Sequence, residues 1–455
     1  WHHNTYVYVS RSKLSSSGYA SYETPLVFSL PASISMGDIK SAMGGSSVMD
    51  FDGDGYNDLI IPQQNKVDGR WNEVDCYVIF GSDVVAGNEG NTKVFPIRLH
   101  ETDRVPLLAP FDTDGNGKDD VVCVEQHHHD GYYPCTIVKY EGGKKLDVKE
   151  YKLWLAREPE KIFVGDYNND GLSDLIVLYS GGYKIYFNAG GKPADERFVE
   201  EKTADGTNLC DRWRIQQGDF DGDGLVDFVY NCGAGDTNLW IAYNNGDGTF
   251  RIAHGANIDT FDHATEKDDN RFSLMAWDMD CDGLTDVMVC KAGYRHHGGF
   301  SPKDKFTQTA VRWLRSTGNG LVLKQAPSKD RENDALENSI FLGDFDGDGQ
   351  MELANYGSKL NVGDISFNGE INVYKVNGNL ASAGKVEAVS NGFDISHSIQ
   401  YAYATNPSVY KRTIPSNYPV NTYTLPASVV KCVRSNNGHA GDLKTDYSYE
   451  NLRIH

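Results

Sequence analysis

Six stretches of this 455-residue chain share one nine-residue register, D-x-[DN]-x-[DN]-G-x-x-[DE], with oxygen-bearing side chains at positions 1, 3, 5 and 9. Position 1 is Asp50, Asp112, Asp166, Asp219, Asp278 and Asp344, and position 3 is Asp52, Asp114, Asn168, Asp221, Asp280 and Asp346. Position 5 is Asp54, Asn116, Asp170, Asp223, Asp282 and Asp348; position 9 is Asp58, Asp120, Asp174, Asp227, Asp286 and Glu352. Hard cations such as Ca²⁺ take six to eight oxygens at roughly 2.3–2.6 Å, and a short loop with oxygen at alternate positions can wrap one. The backbone carbonyl of position 7 (Tyr56, Lys118, Leu172, Leu225, Leu284, Gln350) fits the same sphere, and the glycine at position 6 permits the sharp turn. Mg²⁺ demands a tighter octahedron, and no loop offers a Cys/His set for zinc. Position 12 is Ile61, Cys123, Val177, Tyr230, Val289 or Asn355, never the bidentate Glu that an EF-hand requires. The expectation is up to six Ca²⁺ ions with a structural role, because catalysis would need an open coordination position.

The segments that must position these loops repeat as well. Each loop runs straight into a short apolar stretch: Leu59–Ile61, Val121–Val124, Leu175–Leu178, Phe228–Tyr230, Val287–Val289 and Leu353-Ala354. Apolar runs of this length between turns read as strands buried on both faces. Further on come aromatic, alternating runs at Tyr77–Phe80, Ile137–Tyr140, Tyr183–Phe187, Leu239–Tyr243, Val311–Leu314 and Ile371–Tyr374. A turn such as Asn244-Asn245-Gly246-Asp247-Gly248 signals a hairpin. A unit of about four strands cannot hide both of its faces alone, and radial packing of such units does so. The fold expected is all-β: a six-bladed β-propeller over residues 1–385, then an antiparallel β-rich segment over 386–455. The strand at Tyr6–Val9 would close the ring with the last repeat or, in the alternative, belong to a seventh blade.

The net charge of −21 argues against nucleic acid, since binding phosphate needs a basic surface. About a third of the 64 acidic residues sit at the loop positions, so much of the acidity is a metal-site signature. With 26 Tyr and 47 Gly the composition favours strands and tight turns, and no apolar run is long enough to span a membrane as a helix. The start at Trp1, without a signal-peptide pattern, reads as a piece of a longer or processed chain. None of the eight cysteines forms a C-x-x-C pair. Cys123 with Cys135 and Cys210 with Cys232 are spaced for disulfides, with buried free thiols as the equal alternative. His2-His3, His127-His128-His129 and His296-His297 lie in segments that read as solvated loops. No nucleophile elbow, H-E-x-x-H, dinucleotide or phosphate-loop motif occurs, and the expectation is that the chain is not an enzyme.

The nine-residue pattern between strands resembles the FG-GAP/VCBS repeat of the integrin α propeller and its bacterial relatives. That resemblance implies an ion stapling the hairpin between a blade's first two strands. A second resemblance follows the propeller, carried by Asn391-Gly392, Tyr401-Ala402-Tyr403, Thr405-Asn406-Pro407-Ser408-Val409-Tyr410, Val429-Val430 and Tyr447-Ser448-Tyr449-Glu450-Asn451-Leu452-Arg453. These are similar to the region behind the propeller in Tc-toxin B subunits and virulence-plasmid B proteins, where it leads into a YD/Rhs-repeat shell. The resemblance implies a docking or gatekeeper domain of a secreted Tc/Rhs-like toxin, with other toxin components or a host surface protein as partner. The alternative is an extracellular or cell-surface adhesion module binding a protein or a glycan, and the weakest reading is a polysaccharide-active enzyme on the same scaffold.

Overall fold

The computed structural model describes residues 5–14, 20–30, 47–67, 70–98, 100, 106–116, 118–143, 145–188, 203–206, 209, 214–232, 238–258, 272–280, 282–291, 310–324, 340–343, 345, 351–359, 368–374, 385–391, 395–404, 406, 408–411, 413, 421–423, 428–436 and 441–454. Among the described residues nearly every element is a strand, and the short helix Gly81–Ala86 is one turn and a half at the exit of an inner strand.

Six antiparallel sheets follow one another in chain order. The first pairs Ser47–Met49, Asp58–Val67, Arg70–Ile79 and Lys93–Arg98, and the second Leu107–Phe111, Asp120–Val124, Tyr133–Gly142 and Lys145–Leu153. The third is Pro159–Gly165, Asp174–Tyr179, Gly182–Tyr186 and Thr203–Gly206; the fourth is Ile215–Gly218, Asp227–Tyr230, Asn238–Asn244 and Phe250–Asn257. The fifth is Phe272–Trp277, Asp286–Lys291, Ala310–Ser316 and Leu321–Lys324, and the sixth has three described strands, Ile340–Gly343, Glu352–Lys359 and Asn368–Tyr374. In every sheet the Asp-rich loop joins the first strand to the second, and position 9 is the first residue of that second strand.

Side-chain alternation explains the continuous apolar runs. Val121 and Val138 face the first sheet, packing among Met49, Phe51, Val78 and Phe95. Their neighbours Val122, Val124 and Ile137 face the third sheet and meet Ile162, Leu175 and Val177. Ile176, Leu178 and Ile185 turn from there towards Phe228, Tyr230 and Ala242 of the fourth sheet. Val229, Leu239 and Ile241 then meet Val287, Val289 and Leu314 of the fifth. Successive side chains in a strand point to opposite faces, so a strand covered on both sides must be apolar throughout. Face-to-face stacking of consecutive four-stranded sheets is a propeller-like architecture.

The terminal segments differ from the repeat. Thr5–Val9 pairs antiparallel with Leu26–Leu30, which pairs in turn with Gly90–Asn91. Among the described residues the strand at Tyr6–Val9 therefore leans on an excursion of the first sheet and pairs with no strand of the sixth. At the other end, Ala388–Ser390, Ser396–Tyr403, Ser428–Asn436 and Asp442–Asp446 form a four-stranded antiparallel sheet, as the alternation there predicts. No helix is long and apolar enough to cross a membrane among the described residues.

Candidate metal centres

Each of the first five loops is built first by its own backbone. The position-1 carboxylate accepts the position-6 amide: Gly55 to Asp50 at 2.8 Å, Gly171 to Asp166 at 2.8 Å, Gly224 to Asp219 at 3.0 Å and Gly283 to Asp278 at 2.9 Å. Those glycines have φ between +82° and +92°, a conformation an L side chain resists. Position 5 accepts the amide of position 7, as from Tyr56 to Asp54 and from Lys118 to Asn116, both at 2.8 Å. The same turn recurs from Leu172 to Asp170, Leu225 to Asp223 and Leu284 to Asp282 at 2.9 to 3.0 Å. Such turns fold the carboxylates inward around one point.

Position 9 is the buried pivot. Asp174, Asp227 and Asp286 are 0% exposed, and Asp58 and Asp120 nearly so. One oxygen of each accepts the amide of position 2, from Phe51, Thr113, Tyr167, Phe220 or Met279, and Glu352 accepts that of Phe345. The other oxygen accepts an amide at the end of the third strand: Gly81, Asn188 and Asn244 at 2.8 Å, Ser316 at 2.7 Å. A carboxylate still has lone pairs left for a cation after two such bonds.

Donor atoms of Asp50, Asp52 and Asp58 lie within 4.8 Å of one another, as do those of Asp219, Asp221 and Asp227 and those of Asp278, Asp280 and Asp282. Asp221 Oδ1 and Asp280 Oδ1 are buried with no hydrogen-bond partner. Burial foremost, with neighbouring carboxylates adding to it, pushes Asp52 up to about 6. Burial likewise pushes Asp58, Asp174, Asp227 and Asp286 up to about 7 against their amide donors. Clustered, desolvated carboxylates with spare oxygens fit a hard divalent cation.

The six loops are not equivalent. In the second, Lys139 Nζ bridges Asp114 at 2.7 Å and Asp120 at 3.0 Å, an internal cation set against the carboxylates. In the fifth, Arg315 holds Asp280 at 2.5 Å and Asp282 at 2.6 Å. The third has Asn168 bonded to Asp170 in place of a third converging acid. In the sixth, Asp344, Asp346, Asp348 and Gln350 lie outside the described residues, and Glu352 is buried.

The loops also touch one another, which the nine-residue pattern does not announce. A methyl added at Gly53 would lie 3.2 Å from Lys118, at Gly115 3.2 Å from Leu172, and at Gly222 2.7 Å from Leu284. The position-7 side chain thus rests on position 4 of the preceding loop. Asp119 and Asp50 exchange two hydrogen bonds, as do Thr285 and Asp219. Asn188 donates to the Thr113 carbonyl at 2.9 Å, Asn244 to that of Tyr167 at 3.0 Å and Ser316 to that of Phe220 at 2.6 Å. Each of these three residues joins its own position-9 carboxylate to the loop of the sheet before. The available signal was a polar residue closing the third strand in three successive repeats.

Of the readings left open for cysteine, free buried thiols hold for Cys123 and Cys135. Cys123 stands opposite Thr136 and Cys135 opposite Val124, so their side chains leave opposite faces of the sheet. Cys232 is disulfide-bonded, and Cys210 lies outside the described residues. The histidine tract is only partly solvated: His127 and His128 are exposed, whereas His129 is half-buried against Glu125 and His100. His2-His3 and His296-His297 lie outside the described residues.

An FG-GAP-like repeat family matches residues 166–230 and 219–289, a span that takes in the third to fifth loops. No curated protein sequence matches the chain. Among solved structures, an Agrocybe aegerita lectin described as recognising non-reducing terminal N-acetylglucosamine is similar at 16% identity and a TM-score of 0.41, over 88% of this chain and 90% of that one. The TcdB2-TccC3 structure is similar at 16% identity and a TM-score of 0.36, over 97% of this chain but 20% of that one. TcdB2-TccC3-Cdc42 is similar at 14% identity and a TM-score of 0.35, again spanning 20% of the longer chain. The protein is an all-β chain of propeller-like architecture that carries FG-GAP-like repeats.

Proposed function

We propose that this chain is a non-enzymatic propeller whose Asp-rich loops are clamped by Ca²⁺ and which serves as a docking platform for a protein partner. The observation that carries the calcium reading is the convergence of three carboxylates in each of three loops, two of them with a buried oxygen lacking a hydrogen bond. Positions 1, 3, 5 and 9 would hold the ion, with the carbonyl of position 7, and the ion would supply the positive charge that lets these carboxylates stay ionised. Because the first five loops are bonded each to the next, filling them would stiffen the first five sheets as one unit.

The docking reading rests on the C-terminal sheet. Val389 and Leu443 on its two edge strands, with Val386, Ile395 and Tyr447 close by in sequence, are exposed, and edge strands that carry exposed apolar side chains are open to pairing with another chain. Together with the sequence resemblance of that segment, this favours a docking or gatekeeper domain in a secreted Tc/Rhs-like toxin or shell protein over a glycan-binding adhesion module. The test is capture of candidate toxin components by immobilised chain in millimolar calcium, beside a glycan array. Retention of a toxin component, weakened by Leu443→Asp, is expected. Binding confined to glycans, or unchanged by Leu443→Asp, would overturn the docking assignment.

A further inference from the structure

A second constellation lies at the other end of the second sheet from its Asp-rich loop. The strand Asp120–Val124 separates the two, and its five residues at about 3.4 Å each put roughly 17 Å between Asp120 and Glu125. Glu125 follows that strand directly and is 0% exposed. His129 begins the tight turn to the third strand, its backbone exchanging hydrogen bonds with Tyr132 at 2.7 and 3.0 Å, with Asp130 and Gly131 at positive φ. His100 comes from the first sheet, just beyond the strand Lys93–Arg98. Its imidazole lies 4.5 Å from that of His129, centroid to centroid.

Glu125 Oε1 accepts the backbone amide of His100 at 3.0 Å and faces His100 Nδ1 at 3.4 Å. Glu125 Oε2 and His129 Nε2 stand 3.9 Å apart, and both are buried without a hydrogen-bond partner. One donor atom from each of His100, Glu125 and His129 falls within 4.8 Å of the other two. Glu150, on the fourth strand, reaches to 3.8 Å from His100 Nε2. A fully buried carboxylate is costly unless its lone pairs are used, and here one oxygen and one imidazole nitrogen point at each other across a gap too long for a hydrogen bond. A cation between them satisfies both.

We propose that His100, Glu125 and His129 form a transition-metal site, of the kind that takes Zn²⁺, at the junction of the first two sheets. Two imidazoles and a carboxylate suit Zn²⁺ rather than Ca²⁺, which prefers an all-oxygen shell. Tetrahedral bonds of roughly 2.0–2.1 Å place donors about 3.3 Å apart, so small side-chain rotations close the present spacing. Glu150 or water completes the fourth position. His100 and His129 keep side-chain exposures of 34% and 25%, so the ion has a route in from solvent. The site ties the edge of one sheet to the next from the end the calcium loops do not reach.

The experiment is a Zn²⁺ titration of the whole chain in millimolar Ca²⁺, which keeps the Asp-rich loops filled, with Co²⁺ absorption reporting coordination by nitrogen. One tight equivalent with a tetrahedral Co²⁺ spectrum is expected. Glu125→Gln and His129→Ala should each weaken it by at least about tenfold, since even outer-shell changes cost roughly 10–100-fold. The double substitution of His127 and His128 by Ala should leave it unchanged. Glu125→Gln keeps the shape of the side chain, so it reads the site even where His129→Ala fails to fold. No tight equivalent in the unmodified chain would overturn the proposal. So would binding that survives Glu125→Gln but is lost with His127 and His128, which would assign the metal to the exposed imidazoles.

Discussion

Removing calcium at two pH values tests the loops directly. Burial pushes Asp58, Asp174, Asp227 and Asp286 from an ordinary 3.8 up to about 7 in the metal-free fold. The folded state then binds the proton more tightly than the unfolded chain does. The stability this provides is fully present below about pH 3.8 and is lost as the pH rises through about 7. A rise of about three units is worth on the order of 4 kcal/mol for one loop, and coupling within each loop makes this an upper figure. On the proposed calcium reading, a bound ion would offset that loss by holding the carboxylates ionised, and at a hundredfold excess over its dissociation constant one site would add about 2.7 kcal/mol. The assay is urea unfolding of calcium-stripped and calcium-saturated chain near pH 5 and near pH 8. The stripped chain should be more stable near pH 5 than near pH 8, and calcium should stabilise it far more near pH 8. Equal calcium stabilisation at both pH values, or a stripped chain indifferent to pH, would refute carboxylates that are crowded and cation-dependent.

Asn244→Ala removes the bond to the Tyr167 carbonyl and should cost about 1–3 kcal/mol, read in urea at saturating calcium. Gly222→Ala combines a φ of +81° with a methyl 2.7 Å from Leu284; a loss of roughly 1–3 kcal/mol in the same assay is expected. Lys139→Met takes the internal cation from Asp114 and Asp120. The stripped variant should be less stable than the stripped parent near pH 8, and calorimetric titration should show tighter calcium binding at that loop. Ile241→Ala, at 0% exposure between the fourth and fifth sheets, should cost about 2–5 kcal/mol, measured by denaturant midpoint.

Much of this protein was legible in one dimension because its loops are local devices. The contacts between position 1 and position 6, and between position 5 and position 7, span five residues or fewer. Their residue types therefore had to appear at fixed spacing. The second strands were equally legible: buried on both faces, Val121–Val124 and Leu175–Leu178 could be nothing but apolar.

Stacking decided the rest. Asn244 meets Tyr167 across 77 residues and Ser316 meets Phe220 across 96, distances at which no spacing rule operates. Whether a loop's carboxylates face an internal cation depended on Lys139 and Arg315, which come from the third strand of the sheet and not from the loop. His129 read as one of three solvated histidines because, although Glu125 lies only four residues before it, His100 of another sheet is brought to the pair only by the packing of the first sheet on the second. Hydrogen bonds within a turn leave their mark on neighbouring residues, while contacts made by packing separate sheets exist only once the sheets have met.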